Sequence, residues 1–330
     1  MMDGEQGGGG TSPPPELAQA RARFMELVAE IRPELHRYCA RLTGSIVDGE
    51  DVVQDTLAKA YYAVSMAAEM PPLRPLLFRI AHNAAMDVLR RYERRNVELV
   101  GDWSDDAPGA GAGTRDAGGE RPDPEIVRAA LATFLDLPIS QRSAVILKDV
   151  LGCTLEEIVE STGASLPAVK AALVRGRAAL RARAGADASE QATTWTERAD
   201  DRARLHRYAA LFNARDWDAL RSLLAEDSRL DLISRTERRG RAVGEYFARY
   251  ADVRDFRVVP GVLEDPAGGR LALGVHSPRS SEHPSYFVLI EWSGERVTLI
   301  RDFRYVPYIA DEIFLGRARF TPYQTDEEEA

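Results

Sequence analysis

The sequence predicts a multidomain chain in which two all-α blocks precede an α+β block. Three observations carry this. Apolar residues recur at three- and four-residue steps through two separate stretches, about 16–95 and 125–184. After 198, helical spacing gives way to short runs of strand-forming residues around a hairpin turn. Two stretches with few large apolar groups, 96–124 and 185–197, separate the blocks, and 330 residues exceed what one core usually holds. Residues 1–15 form a Gly- and Pro-rich N-terminus, the third block spans 198–316, and 317–330 is an acidic tail expected to be loose.

In the first block, Phe24, Leu27, Val28, Ile31, Leu35, Tyr38, Cys39 and Leu42 mark one helical face, which Pro33 is expected to break in two. After Thr43-Gly44 a helix fits 48–65, with Asp48, Glu50 and Asp51 in its first turn, where the helix dipole favours acids. Pro71, Pro72 and Pro75 mark a bend before a helix at about 76–95. In the second block, Thr154-Leu155-Glu156-Glu157 reads as a capping box, Gly163 as a helix stop and Ser165 as the next cap. Two short helices across that turn make a helix-turn-helix. The third block reads as two helices, a strand at 228–233, a helix at 240–250 and strands near 255–262, 270–276, 285–292 and 296–304, the last two joined at Ser293-Gly294-Glu295.

The net charge of −9 is unevenly spread: residues 96–125 hold 2 basic and 8 acidic groups, whereas 126–186 hold 8 basic and 5 acidic. Local patches rather than the total decide whether DNA is held. The N-terminus lacks the apolar core of a signal peptide and no apolar run reaches about 20 residues, so the expected location is the cytoplasm, away from any membrane. Two cysteines and five scattered histidines argue against a disulfide framework, a metal site or a bound cofactor.

Asp48-Gly49-Glu50-Asp51-Val52-Val53-Gln54-Asp55-Thr56, then Phe78-Arg79-Ile80-Ala81-His82-Asn83 with Asp87 and Arg90-Arg91, resembles region 2 of the sigma-70 family. Leu137-Pro138 with Gln141-Arg142, and the helix-turn-helix reaching Ala168-Val169-Lys170, resembles region 4 of that family. The spacing resembles the bacterial extracytoplasmic-function (ECF) group. The resemblance implies a region 2 helical bundle and a region 4 helix-turn-helix, whose partners are core RNA polymerase and promoter DNA. Asp51, Gln54 and Asp55, spaced i, i+3 and i+4, share one helix face, and in the family that face docks on the polymerase clamp helices. Arg79, Asn83, Arg90 and Arg91 fall where the family engages the opened strand of the −10 element. Ser165, Ala168, Lys170, Arg175 and Arg177 fall on the helix that meets the −35 element. This chain departs from the family at Leu73 and Leu76, where aromatics are common, and at Ala171-Ala172, where Ser-Arg is common. The second departure implies a −35 contact relying on phosphates and DNA shape. The acids Asp102, Asp105, Asp106 and Asp116 lie in the linker that the family threads into the polymerase channel.

The third block resembles the nuclear transport factor 2-like fold, on Tyr208-Ala209-Ala210-Leu211-Phe212-Asn213, Trp217-Asp218-Ala219-Leu220, Gly240-Arg241 and Ile300-Arg301-Asp302-Phe303. The resemblance implies a cone-shaped α+β domain, with Asp231, His276, Tyr286 and Asp302 as polar residues of a possible pocket for a small molecule. No catalytic residue is assigned, because no paired acid–base motif stands out. The expected function is that of an alternative sigma factor with a fused regulatory domain that packs against region 2 or 4 in the free chain. The alternatives are a ligand-sensing DNA-binding regulator that acts without polymerase, and an enzyme tethered to a DNA-binding module.

Overall fold

A computed structural model of the chain describes residues 15–67, 71–93, 126, 131–184, 199–233, 236–251, 253, 255–266, 268–314 and 318–323. The linkers, with Arg94, Arg95 and the four linker acids, lie outside these residues. Among them, no helix is long and apolar enough to cross a membrane.

The first block is three helices: α1 (Pro15–Thr43), α2 (Ile46–Met66) and α3 (Leu73–Glu93). Pro33 does not break α1, contrary to expectation. A proline inside a helix costs about 3 kcal/mol. Burial on both sides of it, by Phe24 and Val28 before and Leu35, Tyr38 and Leu42 after, outweighs that cost. Ser45 caps α2, its hydroxyl accepting from the Asp48 N–H. Helix α1 approaches α2 so closely at Gly49 that a Cβ there would lie 2.6 Å from the Ala40 nitrogen.

The second block comprises α4 (Leu131–Leu135), α5 (Ile139–Val145) running into a π-helical turn (Ile146–Val150), α6 (Leu155–Thr162) and α7 (Leu166–Ala184). Both halves of the Thr154–Glu157 capping box form, and Gly163 ends α6 at φ 72°, a left-handed conformation that suits glycine. These two blocks share one core, in which Tyr38, Phe78 and Ala81 meet Phe134, Val145, Leu147 and Leu173.

The third block opens with α8 (Ala199–Ala214) and α9 (Trp217–Ser222) and builds a seven-stranded sheet of order β2-β1-β6-β5-β4-β3-β7. Its strands are β1 (Leu224–Leu232), β2 (Thr236–Arg239), β3 (Arg257–Asp265), β4 (Gly268–His276), β5 (Tyr286–Ser293), β6 (Arg296–Asp302) and β7 (Arg319–Pro322). Neighbouring strands are antiparallel except β1 and β6, which run parallel. The expected helix at 240–250 is a 3-10 stretch (Gly240–Tyr246) followed by the single turn α10 (Ala248–Ala251). Beyond β6 the chain forms α11 (Tyr308–Phe314), and β7 then pairs with β3, so the start of the expected loose tail is a strand.

Alternation along the strands gives the sheet two buried faces. Leu230, Leu232, Val275, Tyr286, Val288, Ile290 and Ile300 face α8 and the 240–251 segment. Leu263, Ala272, Phe287 and Leu289 face the other way and join Phe303, Val306 and Ile309 in a cluster with Ala40, Ile46, Val47 and Leu131. The third block therefore packs against the first two through apolar contacts.

Candidate functional site

The acidic face of α2 meets the outer face of the sheet. Arg270 of β4 donates to Asp48 at 2.7 Å, and Arg301 of β6 pairs with Asp51. At the start of α2 the Ile46 N–H donates to the Asp265 carboxylate at 3.1 Å. Asp51, Gln54 and Asp55 line one wall of a crevice of about 900 Å³, with Arg229, Asp231 and Arg301 opposite. Asp55 stays exposed.

Deeper in the same junction, Glu50 is fully buried. It pairs with Arg32, accepts from Gln54 Nε2 at 2.8 Å and accepts from the Tyr308 hydroxyl at 2.8 Å. Tyr308 accepts in turn from Arg32 Nε at 2.7 Å. Burial and the adjacent Glu50 carboxylate push the Tyr308 phenol well above its usual range, so it stays a donor. One turn on, Glu312 lies 3.8 Å from Arg41, and both are buried. Helix α11 thus inserts two polar side chains into the first block.

On α3, Arg79 and Asn83 lie one turn apart and are exposed, as are Arg90 and Arg91 near its end. Asp87 contacts both of the last two: it lies 3.7 Å from Arg90, and its carbonyl accepts from Arg91 Nε at 3.1 Å. On α7, Ser165, Lys170 and Arg175 are exposed and Ala168 is half-buried. Arg177 is the exception. It is only 4% exposed and forms a two-pronged pair with Asp149, at 2.9 and 2.6 Å, where the π-helical turn brings that carboxylate inward. It is withdrawn from any DNA-facing surface. Removing one partner of such a buried pair costs about 3–5 kcal/mol. Arg177→Met is therefore expected to lower the urea midpoint sharply, whereas Arg175→Ala weakens DNA binding at unchanged midpoint. An equal effect of both on DNA binding alone would contradict this placement.

The structure divides the four residues expected to share a pocket. Tyr286 and Asp302 lie together on the inner face of the sheet, but Asp231 faces the opposite side in the α2 crevice. His276 sits at the end of β4, its ring within 2.7 Å of the Ser281 carbonyl. Strand alternation is the reason: 231 and 276 have the opposite parity to the inward residues of their strands. On that inner face Asp302 is fully buried and accepts from Tyr246 and Tyr250, each at 2.9 Å, and from the Arg304 N–H at 2.8 Å. Burial raises its carboxyl above the usual range, while these hydrogen bonds pull it down. The Tyr286 phenol, 3.1 Å from that of Tyr250, is pushed up to about 12 by burial and the Asp302 charge. Phe212 packs edge-on against Tyr250, Trp217 and Phe256 in the same interior. Tyr246, Tyr250, Tyr286 and Asp302 thus form a hydrogen-bonded cluster within an aromatic core, and His276 lies on the other face of the sheet from Asp302.

Residues 27–95 match sigma-70 region 2, and residues 128–180 match sigma-70, region 4. The ECF RNA polymerase sigma factor SigL of Mycobacterium tuberculosis is 30% identical over 175 residues, covering 50% of this chain and 89% of that protein. The chain belongs to the extracytoplasmic-function group of the sigma-70 family. A longer match, to the ECF RNA polymerase sigma factor SigG of M. tuberculosis, is 31% identical over 228 residues and covers 64% of this chain. The chain spans 61% of that relative's length. The crystal structure of the M. tuberculosis extracytoplasmic function sigma factor SigJ aligns over 84% of this chain and 95% of that one, at 18% identity and a TM-score of 0.32.

Regions 2 and 4 are clasped together here. Arg142 of region 4 donates to the Leu42, Leu135 and Leu137 carbonyls at 2.6, 2.6 and 3.0 Å. Arg74 bridges Glu34 and Glu157 at 3.2 Å each. Between them the Tyr38 hydroxyl lies 2.7 Å from His82 Nδ1 and 2.8 Å from the Ser143 hydroxyl. Burial, with a contribution from Arg90, lowers the His82 imidazole from 6.5 to about 4. The unfolded chain therefore takes up this proton first. The stability is complete above pH 6.5, declines as pH falls towards 4 and is flat below it, a span of roughly 3 kcal/mol. Urea midpoints measured across this range should lose that component in His82→Gln; an unchanged slope would contradict a buried neutral imidazole.

Sequence reasoning missed Arg270, Asp265, Tyr308, Glu312 and the partnering role of Arg301. One signal was present. Tyr286-Phe287-Val288-Leu289-Ile290 is continuously apolar, which marks a strand covered on both faces.

Proposed function

We propose that the chain is an alternative RNA polymerase sigma factor with a built-in regulator. Regions 2 and 4 bind core polymerase and promoter DNA and direct initiation. The third domain carries no catalysis and acts by occupying region 2. Family membership supports the first part. One observation carries the second: Asp51, on the α2 face assigned to polymerase, is paired with Arg301 of the third domain, and Asp48, one turn before it, with Arg270. Polymerase and the third domain then compete for the same carboxylates. A released signal, or polymerase in excess, shifts the chain from closed to open by its differential affinity for the two states.

The test is promoter-selective transcription by the full chain with core polymerase, over a range of core concentrations. Specific transcripts whose yield rises with core concentration are expected. Sequence-specific DNA binding without core, together with no transcript and no core binding, would overturn the sigma reading in favour of a polymerase-independent regulator.

A further inference from the structure

The recognition helix α7 presents an unusual surface. Val169, Ala172, Leu173 and Arg177 point inward, so the outward face runs through Leu166, Pro167, Lys170, Ala171 and Val174. These are positions one, two, five, six and nine of the helix, and they span about 12 Å at 1.5 Å per residue. Leu166 is 40% and Val174 55% exposed, which places both among the exposed large hydrophobics of the described residues. Within residues 166–174, Lys170 is the only side chain on this face with a hydrogen-bonding head.

Charge says what covers it. From Ser161 to Gly185 the chain has no acidic residue, and Lys170, Arg175 and Arg181 are exposed around the stripe. A cationic helix with an apolar ridge, second in a helix-turn-helix, fits the major groove of duplex DNA. There the four bases differ in one apolar feature: thymine carries a C5-methyl group. Over residues 166–174 the face lacks the Arg, Asn or Gln that reads guanine or adenine through paired hydrogen bonds.

We propose that Leu166 and Val174 read the −35 element by contact with thymine methyl groups, with Lys170 between them. This rests on the reading of region 4 as the promoter-binding domain. It replaces the expectation of a contact made through phosphates and DNA shape alone.

The experiment uses the full chain with core polymerase. A randomised −35 library is enriched for bound duplexes, and the selected site is then resynthesised with deoxyuridine for deoxythymidine, which removes only the methyl groups. Thymines should dominate two positions of the enriched element, and each uracil there should weaken binding about three- to fourfold, the value of one buried methyl. Leu166→Ala and Val174→Ala should each lose sensitivity to one position while keeping core affinity and thermal midpoint. Selective binding that ignores uracil, or an element without thymine, overturns the proposal and leaves the sigma reading intact. Loss of core affinity in either variant also overturns it, by assigning the stripe to polymerase. Absence of any selective binding overturns the sigma reading together with the proposal.

Discussion

Glu50→Ala is expected to cost the chain about 3 kcal/mol or more of stability, the largest single effect at the domain junction. The carboxylate is fully buried and is the shared acceptor of Arg32, Gln54 and Tyr308. Its removal leaves the Arg32 guanidinium, itself largely buried, without its counter-ion. It also loosens α11, because Tyr308 loses one of its two hydrogen bonds to region 2. Urea denaturation followed by circular dichroism measures the loss, and limited proteolysis at the 303–308 connection measures the release of α11. The paired replacement Arg32→Met with Glu50→Leu should recover much of the stability, since an apolar substitute for a buried ion pair is often neutral or better. It should not restore the Tyr308 tether, so proteolysis stays fast. A loss under about 1 kcal/mol in Glu50→Ala would contradict a buried, shared carboxylate.

Arg270→Glu with Arg301→Glu is expected to raise the affinity for core polymerase strongly. Neither residue belongs to region 2, so the side chains proposed to face polymerase stay intact. Each partly exposed pair is worth up to about 1 kcal/mol, and reversal adds repulsion of similar size against Asp48 and Asp51. Two lost pairs and two added repulsions sum to at most about 4 kcal/mol, and half of that already shifts the closed-to-open balance roughly 30-fold. The shared apolar cluster around Phe287, Phe303 and Ile46 still resists opening, so the chain opens without unfolding. The readouts are core affinity and transcript yield beside the unaltered chain. A second variant separates closure from polymerase contact: Asp51→Arg added to Arg301→Glu should close the chain again and yet bind core poorly. Equal core affinity for all chains would sink the competition between polymerase and third domain.

The local fold was largely legible in residues. The Thr154 box, the Gly163 stop and the Ser293-Gly294-Glu295 turn each form as written, because caps and turns depend on a few neighbouring atoms. Pro33 was misread because its cost is local, whereas the burial that overrides it comes from helices far along the chain. Strand β7 and helix α11 were missed because each is short and gains its stability from a distant partner, β3 in one case and region 2 in the other. Arg177 was assigned to DNA on its charge and spacing, and only the π-helical turn at 146–150 shows Asp149 meeting it.

Sequence patterning alone established the order of the parts: a region 2 motif, an acidic linker, a helix-turn-helix and an α+β domain. Periodicity, capping chemistry and motif spacing are short-range properties, and the chain writes them directly. What covers the outer face of the sheet is a long-range matter. Asp48 and Arg270 stand 222 residues apart, and Asp51 and Arg301 250. No local rule pairs residues at such separations. Only the packed tertiary structure decides that Asp48 and Asp51 of α2 are held by Arg270 and Arg301 of the chain's own third domain.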